Sequence, residues 1–220
     1  MTRVVHNYCA EYEKVCSAII FDREKTYLTL SSQLEADVSI AELYQRVKTH
    51  YPRAGRTYWA INVWRQIIWQ PIYLCLVSVD KDLPLPNLVE LRQCVQGSVV
   101  YKMAPVQEWQ LENETSSLTS VAGKLNQAID STFSQLQNVC RLQRHRAEAQ
   151  VQDILAIALQ RICSDASLNA LQNSLEQWHQ ALLMPSRNKF IKTNELERAD
   201  CCMHLKIEPD SPCNNCPQIN

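Results

Sequence analysis

Apolar residues recur at three- and four-residue intervals along most of the chain, the period of helices with one buried face. Val5, Tyr8, Tyr12, Val15 with Cys16, and Ile19 follow this spacing and predict an amphipathic helix over residues 3 to 22. Ser39 stands where an N-cap would open a second helix, with Ile40, Leu43, Tyr44 and Val47 inward and Pro52 beyond its end. "RTYWAINVWRQIIW" predicts a third, rich in aromatics. Its Trp59, Trp64 and Trp69 lie five residues apart, so they do not share one face and divide between core and surface. "PIYLCLVSV", from Pro71, is apolar throughout, and periodicity alone does not separate a strand from a buried helix there. "DKDLPLPN" reads as a turn, and "GSVVYKMAP", β-branched between Gly97 and Pro105, as a strand.

Long helical patterns fill residues 115 to 184, in "LTSVAGKLNQAIDSTFSQLQNVC", "VQDILAIALQRIC" and "SLNALQNSLEQWHQALLM". Pro185 closes the last, and "NKFIK" is a short strand candidate within a connector over residues 186 to 200. No internal repeat or low-complexity run is present. The expected fold class is α+β: a predominantly helical body, residues 1–190, with a small antiparallel β component, and a cysteine-bearing C-terminal segment, residues 191–220.

Composition narrows the function classes. The 220 residues are 46% apolar and 20% charged, with a formal net charge of −1, which gives no support to nucleic-acid binding. Gly55, Gly97 and Gly123 are the only glycines, so neither the Gly-rich dinucleotide fingerprint nor a phosphate-binding P-loop can be built. Electrons for any redox chemistry are therefore expected from a partner. "MTRVVHNYCAEYEKVC" has no apolar core of signal-peptide length. Residues 59 to 79 carry Asn62, Arg65, Gln66, Gln70 and Pro71, too polar for a membrane span. A buried helix that kinks near Pro71 is expected instead, in a cytoplasmic protein.

Six of the ten cysteines (Cys9, Cys16, Cys75, Cys94, Cys140 and Cys163) are scattered among apolar residues and read as packing. The other four, Cys201, Cys202, Cys213 and Cys216, form the pattern C-C-x10-C-x2-C. Neighbouring Cα atoms stand about 3.8 Å apart, below the usual disulfide span, so a Cys201–Cys202 bridge is disfavoured. A C-x-x-C redox bridge of Cys213 and Cys216 would leave the vicinal pair unexplained. A metal site uses all four thiolates; zinc and an iron–sulfur cluster are equally open on spacing alone. Asn214 and Asn215 tolerate the tight backbone a ligand turn needs, and Pro212 and Pro217 stiffen its flanks. Arg198, His204 and Lys206 are candidates for stabilising negative charge at the site, or are ordinary surface charges.

The cysteine pattern resembles that of the FhuF-like ferric siderophore reductases. The likeness includes Arg198 three residues before the vicinal pair in "RADCC" and Pro209 within the spacer. The Trp-rich helix near residues 58 to 70, followed by an apolar run and a short strand, is more loosely similar. Leu205 stands where the family often has an aromatic residue, and "CRLQRHR" replaces a more neutral stretch.

The resemblance implies a [2Fe–2S] cluster on the four cysteines and transfer of one electron to siderophore-bound Fe(III), releasing Fe(II) in the cytoplasm. An external donor such as a ferredoxin or a flavin reductase would reduce the cluster, with room for peripheral contact at the inner membrane. Siderophore oxygens are hard donors that favour Fe(III) over Fe(II), so reduction unlocks the metal. "CRLQRHR" places Arg141, Arg144, His145 and Arg146 within one and a half turns of expected helix. They are either a solvated face or a cationic site for an anionic ferric siderophore. The alternative is a non-enzymatic helical binding protein with a structural four-cysteine zinc site.

Overall fold

The computed structural model describes residues 3–20, 28–30, 35–104, 117–192, 195–213 and 216–218. In chain order these form α1 (Arg3–Val15), β1 (Leu28–Leu30), α2 (Glu35–His50), α3 (Arg56–Lys81), β2 (Arg92–Gln96), β3 (Val99–Ala104) and α4 (Leu118–Val139). There follow α5 (Arg144–Ile162), α6 (Leu168–Ala181), β4 (Lys189–Lys192) and β5 (Glu195–Glu197), with single 3-10 turns at Leu88–Glu90 and His204–Lys206. The fold is α+β and mostly helical.

Helix α3 is the axis. The ambiguous run after Pro71 continues it without interruption to Lys81, and from Pro71 to Ser78 every side chain is buried, while Trp59, Asn62, Arg65, Gln66 and Trp69 are only partly so. Proline inside a helix removes one ladder hydrogen bond, here to the Ile67 carbonyl. The burial of Ile67, Ile68, Ile72, Leu74, Cys75 and Val77 offsets that loss. Helices α5, α4 and α2 pack around α3. Trp64 is fully buried, its ring edge-on to Phe133 with centroids 5.7 Å apart, while Trp59 and Trp69 are only partly buried. Gly55 opens α3 at φ 85, ψ 166, a conformation essentially restricted to glycine.

The antiparallel sheet runs β1-β2-β3, with Leu28 opposite Val95 and Gln96 opposite Val99. Gly97, at φ 61, starts the two-residue turn between β2 and β3. The sheet is fixed to α3 by polar contacts: Gln93 Nε2 donates to Gln70 Oε1 at 2.8 Å and Val100 N to Gln66 Oε1 at 3.0 Å. A second antiparallel pair, β4-β5, leads into the cysteine segment.

Several sequence expectations need correction. Helix α1 ends at Val15, because the chain turns at Cys16–Ala18; residues 21 and 22 lie outside the described residues. Ser39 sits inside α2, which begins at Glu35, and so does not cap it. "CRLQRHR" is not one helical stretch: Cys140 ends α4 in extended geometry, and α5 opens only at Arg144. None of the ten cysteines is in a disulfide, and Cys9, Cys16, Cys75 and Cys94 are buried as packing residues. Among the described residues no helix is long and apolar enough to cross a membrane.

Candidate metal centre

Arg146, Gln150 and Asp153 fall at positions i, i+4 and i+7 of α5, one stripe of a helix, and all three grip residues 199–201. Arg146 Nε donates to Asp200 Oδ2 at 2.8 Å and its second guanidinium nitrogen to Oδ1 at 3.2 Å. This two-point pairing fixes orientation as well as distance. Asp200 Oδ1 in turn accepts from Cys201 N at 2.8 Å. Gln150 donates to the Cys201 carbonyl at 3.4 Å, and its own oxygen accepts from Arg65 at 2.6 Å. Asp153, fully buried, accepts from Ala199 N at 2.7 Å and Asn188 Nδ2 at 3.2 Å. The approach to the vicinal cysteines is thus held by side chains of α5, with Arg65 of α3 bracing Gln150.

Immediately beyond, Met203 adopts left-handed geometry at φ 61, a strained conformation for a residue with a side chain. The turn aims Met203 N at Cys201 Sγ, 3.3 Å away. Cys201 and Cys216 are buried, and Cys202 and Cys213 are half-buried with their sulfurs 3.8 Å apart. Burial raises the pKa of the Cys201 thiol, and negative charge on Cys202 or Cys216 would raise it further. Cys213 is pushed up to about 11 by burial and by Cys202. The four thiols therefore share one neighbourhood.

Among the described residues no three His, Cys, Asp or Glu side chains already stand in the arrangement of a finished metal site. The donor set nevertheless fits one. Metal–sulfur bonds of about 2.3 Å at a tetrahedral angle place neighbouring sulfurs about 3.8 Å apart, the Cys202–Cys213 separation. Cys202 and Cys213 thus stand at a separation that a shared metal ion would require. Both zinc and iron take such thiolate sets. Asn214 and Asn215, the expected ligand turn, lie outside the described residues.

The cations near the segment and the cleft are placed differently. Arg198 is close enough to lower the thiol pKa of Cys213, and Arg65, absent from the sequence-based candidates, is near Cys202 and Cys213. His204 is turned to Glu208 at 3.1 Å, and Lys206 is exposed in the same 3-10 turn. Arg141 and Arg146 line a cleft of about 530 Å³ together with Arg56, Thr57, Leu142 and Gln143. Arg144 faces elsewhere: it pairs with Asp130 at 2.7 Å and Glu148 at 2.8 Å and covers the Phe133 ring. His145 is exposed.

Arg146 links the cleft to the cysteine segment, because it lines the one and pairs with a residue of the other. Arg146 pairs with Asp200, next to Cys201, and Thr57 precedes Tyr58, whose phenol is raised to about 12 by burial first and also by the nearby Tyr51 and Cys202. No family model matches the chain, and no solved structure matches it.

Proposed function

We propose that this chain is a ferric siderophore reductase of the FhuF-like kind, with Cys201, Cys202, Cys213 and Cys216 as ligands of a [2Fe–2S] cluster. The observation that carries the reading is the gathering of these four cysteines in one neighbourhood, tied through the Arg146–Asp200 pair to an arginine-lined cleft. When bound, the cluster supplies one electron to siderophore-held Fe(III), which departs as Fe(II), and an external donor such as a ferredoxin or a flavin reductase replaces the electron.

The protein's own part is positioning and electrostatics. Arg146, Gln150 and Asp153 hold residues 199–201 rigidly against α5. Such outer contacts keep ligands in place and tune the metal they hold. Arg65 and Arg198 put positive charge beside Cys202 and Cys213, which favours the more negative, reduced state of the site. The burial of Cys201 and Cys216 keeps water from half of the ligand set. The reaction belongs in the cytoplasm, where released Fe(II) would be used and thiols stay reduced.

The test is the visible spectrum of freshly purified protein, with iron and acid-labile sulfide assayed on the same sample. Charge-transfer bands with near-equal iron and sulfide, bleached by dithionite and restored by a ferric siderophore, are expected. The 3.8 Å sulfur pair also suits zinc. A colourless protein with stoichiometric zinc, prepared anaerobically with iron present, would remove the reductase reading and leave a structural site.

A further inference from the structure

The cleft beside the cysteines has an unusual lining for a chain whose net charge is −1. Arg56, Arg141 and Arg146 converge on it with Thr57, Leu142 and Gln143; among the described residues no carboxylate lines it, though Arg146 is paired with Asp200 behind it. Arg56 and Arg141 are exposed and make no ion pair among the described residues, whereas neighbouring Arg144 is neutralised by two carboxylates.

Two helix N-termini add to the same field. Arg56 and Thr57 are the first residues of α3, and Gln143 is the N-cap of α5. Neither cap makes a side-chain hydrogen bond, and neither first turn holds an acidic residue. The first amides of each helix lack intrahelical partners, although Arg146 N bonds the Gln143 carbonyl, and the macrodipoles place partial positive charge at these ends.

We infer that this cleft is the substrate site and that it takes a negatively charged Fe(III) chelate, of the catecholate or carboxylate class, in preference to a neutral hydroxamate chelate. The assignment of iron chelates as substrate rests on the reductase reading; the preference for charge rests on the cleft. A volume of about 530 Å³ lies within the range of about 300–1,000 Å³ common for small-molecule sites. Arg146 contributes to both places, since it borders the cleft and clamps Asp200 ahead of Cys201. A chelate seated there would meet Arg146, whose partner Asp200 immediately precedes Cys201. Arg56 and Arg141 are left to set affinity and charge preference.

Gallium(III) chelates test the binding without electron transfer, because Ga(III) resembles Fe(III) in charge and size and is not reduced under these conditions. Binding of a Ga(III) tris-catecholate and a Ga(III) tris-hydroxamate to the holoprotein is measured by calorimetry at two salt concentrations. The anionic chelate should bind at least about tenfold tighter and weaken with salt. The Arg56→Gln/Arg141→Gln double variant, altered only at exposed positions, should keep its thermal midpoint and lose about tenfold for the anionic chelate alone. Equal affinity for the two chelates, or an unchanged double variant, overturns the inference. Reoxidation of dithionite-reduced protein by the matching Fe(III) chelates is followed separately. Selective Ga(III) binding without reoxidation keeps the anionic site and sinks the reductase; reoxidation by both chelates at equal rates keeps the reductase and sinks the charge preference.

Discussion

Burial decides the chemistry of Asp153. Its pKa rises from 3.8 to about 6, with burial the largest cause and the Ala199 and Asn188 hydrogen bonds and the Arg198 and Arg65 charges opposing it. The folded state therefore holds a proton that the unfolded chain has already released. Stability from this group is fully present below pH 3.8 and is lost as pH rises through about 6. An Asp153→Asn variant has no such titration. The unfolding free energy of the wild type relative to this variant should fall by about 2 kcal/mol between roughly pH 4.5 and roughly pH 7, read from urea unfolding. A pH-independent difference would show that Asp153 is ionised throughout. Asp153, Gln150 and Arg65 could not be found in the sequence, because what selects them is contact across tens of residues: Arg65 meets Gln150 85 positions away and Asp153 meets Ala199 46 positions away. The four cysteines were legible because their chemistry lies in residue type and local spacing.

Helices α3 and α5 carry the site, and Trp64 joins them. Its Nε1 donates to the Ala147 carbonyl at 2.9 Å, next to the Arg146 that clamps Asp200. Trp64→Ala should cost roughly 3–5 kcal/mol through the cavity it leaves. Trp64→Phe keeps most of the ring contact and should cost roughly 1–2 kcal/mol for the lost donor. Denaturant unfolding of the two variants checks the order, and equal costs would mean that the hydrogen bond, not the packing, sets the stability. Elements with one apolar face, such as α4 and α6, were readable from their spacing, and so was β3 from its β-branched run between turn residues. Strand β2 was not. Its Gln93 is buried because it pairs with Gln70, and its register shifts between Cys94 and Val95, so no alternation shows. The run after Pro71 was ambiguous for the opposite reason: buried on every side, it has no polar face to reveal its period.

Across the whole molecule the apolar core and the cysteine segment are held by different means. The core runs through α1 to α6 and the sheet. The segment from Ala199 to Cys213 contributes one 3-10 turn, the half-buried Met203 and Ile207, and the contacts to Arg146, Gln150 and Asp153. Little apolar area depends on the thiolates, so the body should not need the metal in order to fold. Ligand release by a chelator removes only the binding contribution to stability. The thiols then take up protons, since Cys201 and Cys213 have raised pKa values. Metal removal is therefore expected to leave the far-UV helical signal almost intact. Amide exchange should accelerate in residues 201–213 while α3 and α5 stay protected, with proton uptake measurable in weak buffer. Collapse of the helical signal on chelation would mean that the metal organises the body itself. The four cysteines would then be a structural staple, and a reactive centre that must gain and lose electrons without disturbing its scaffold would be the wrong description of them.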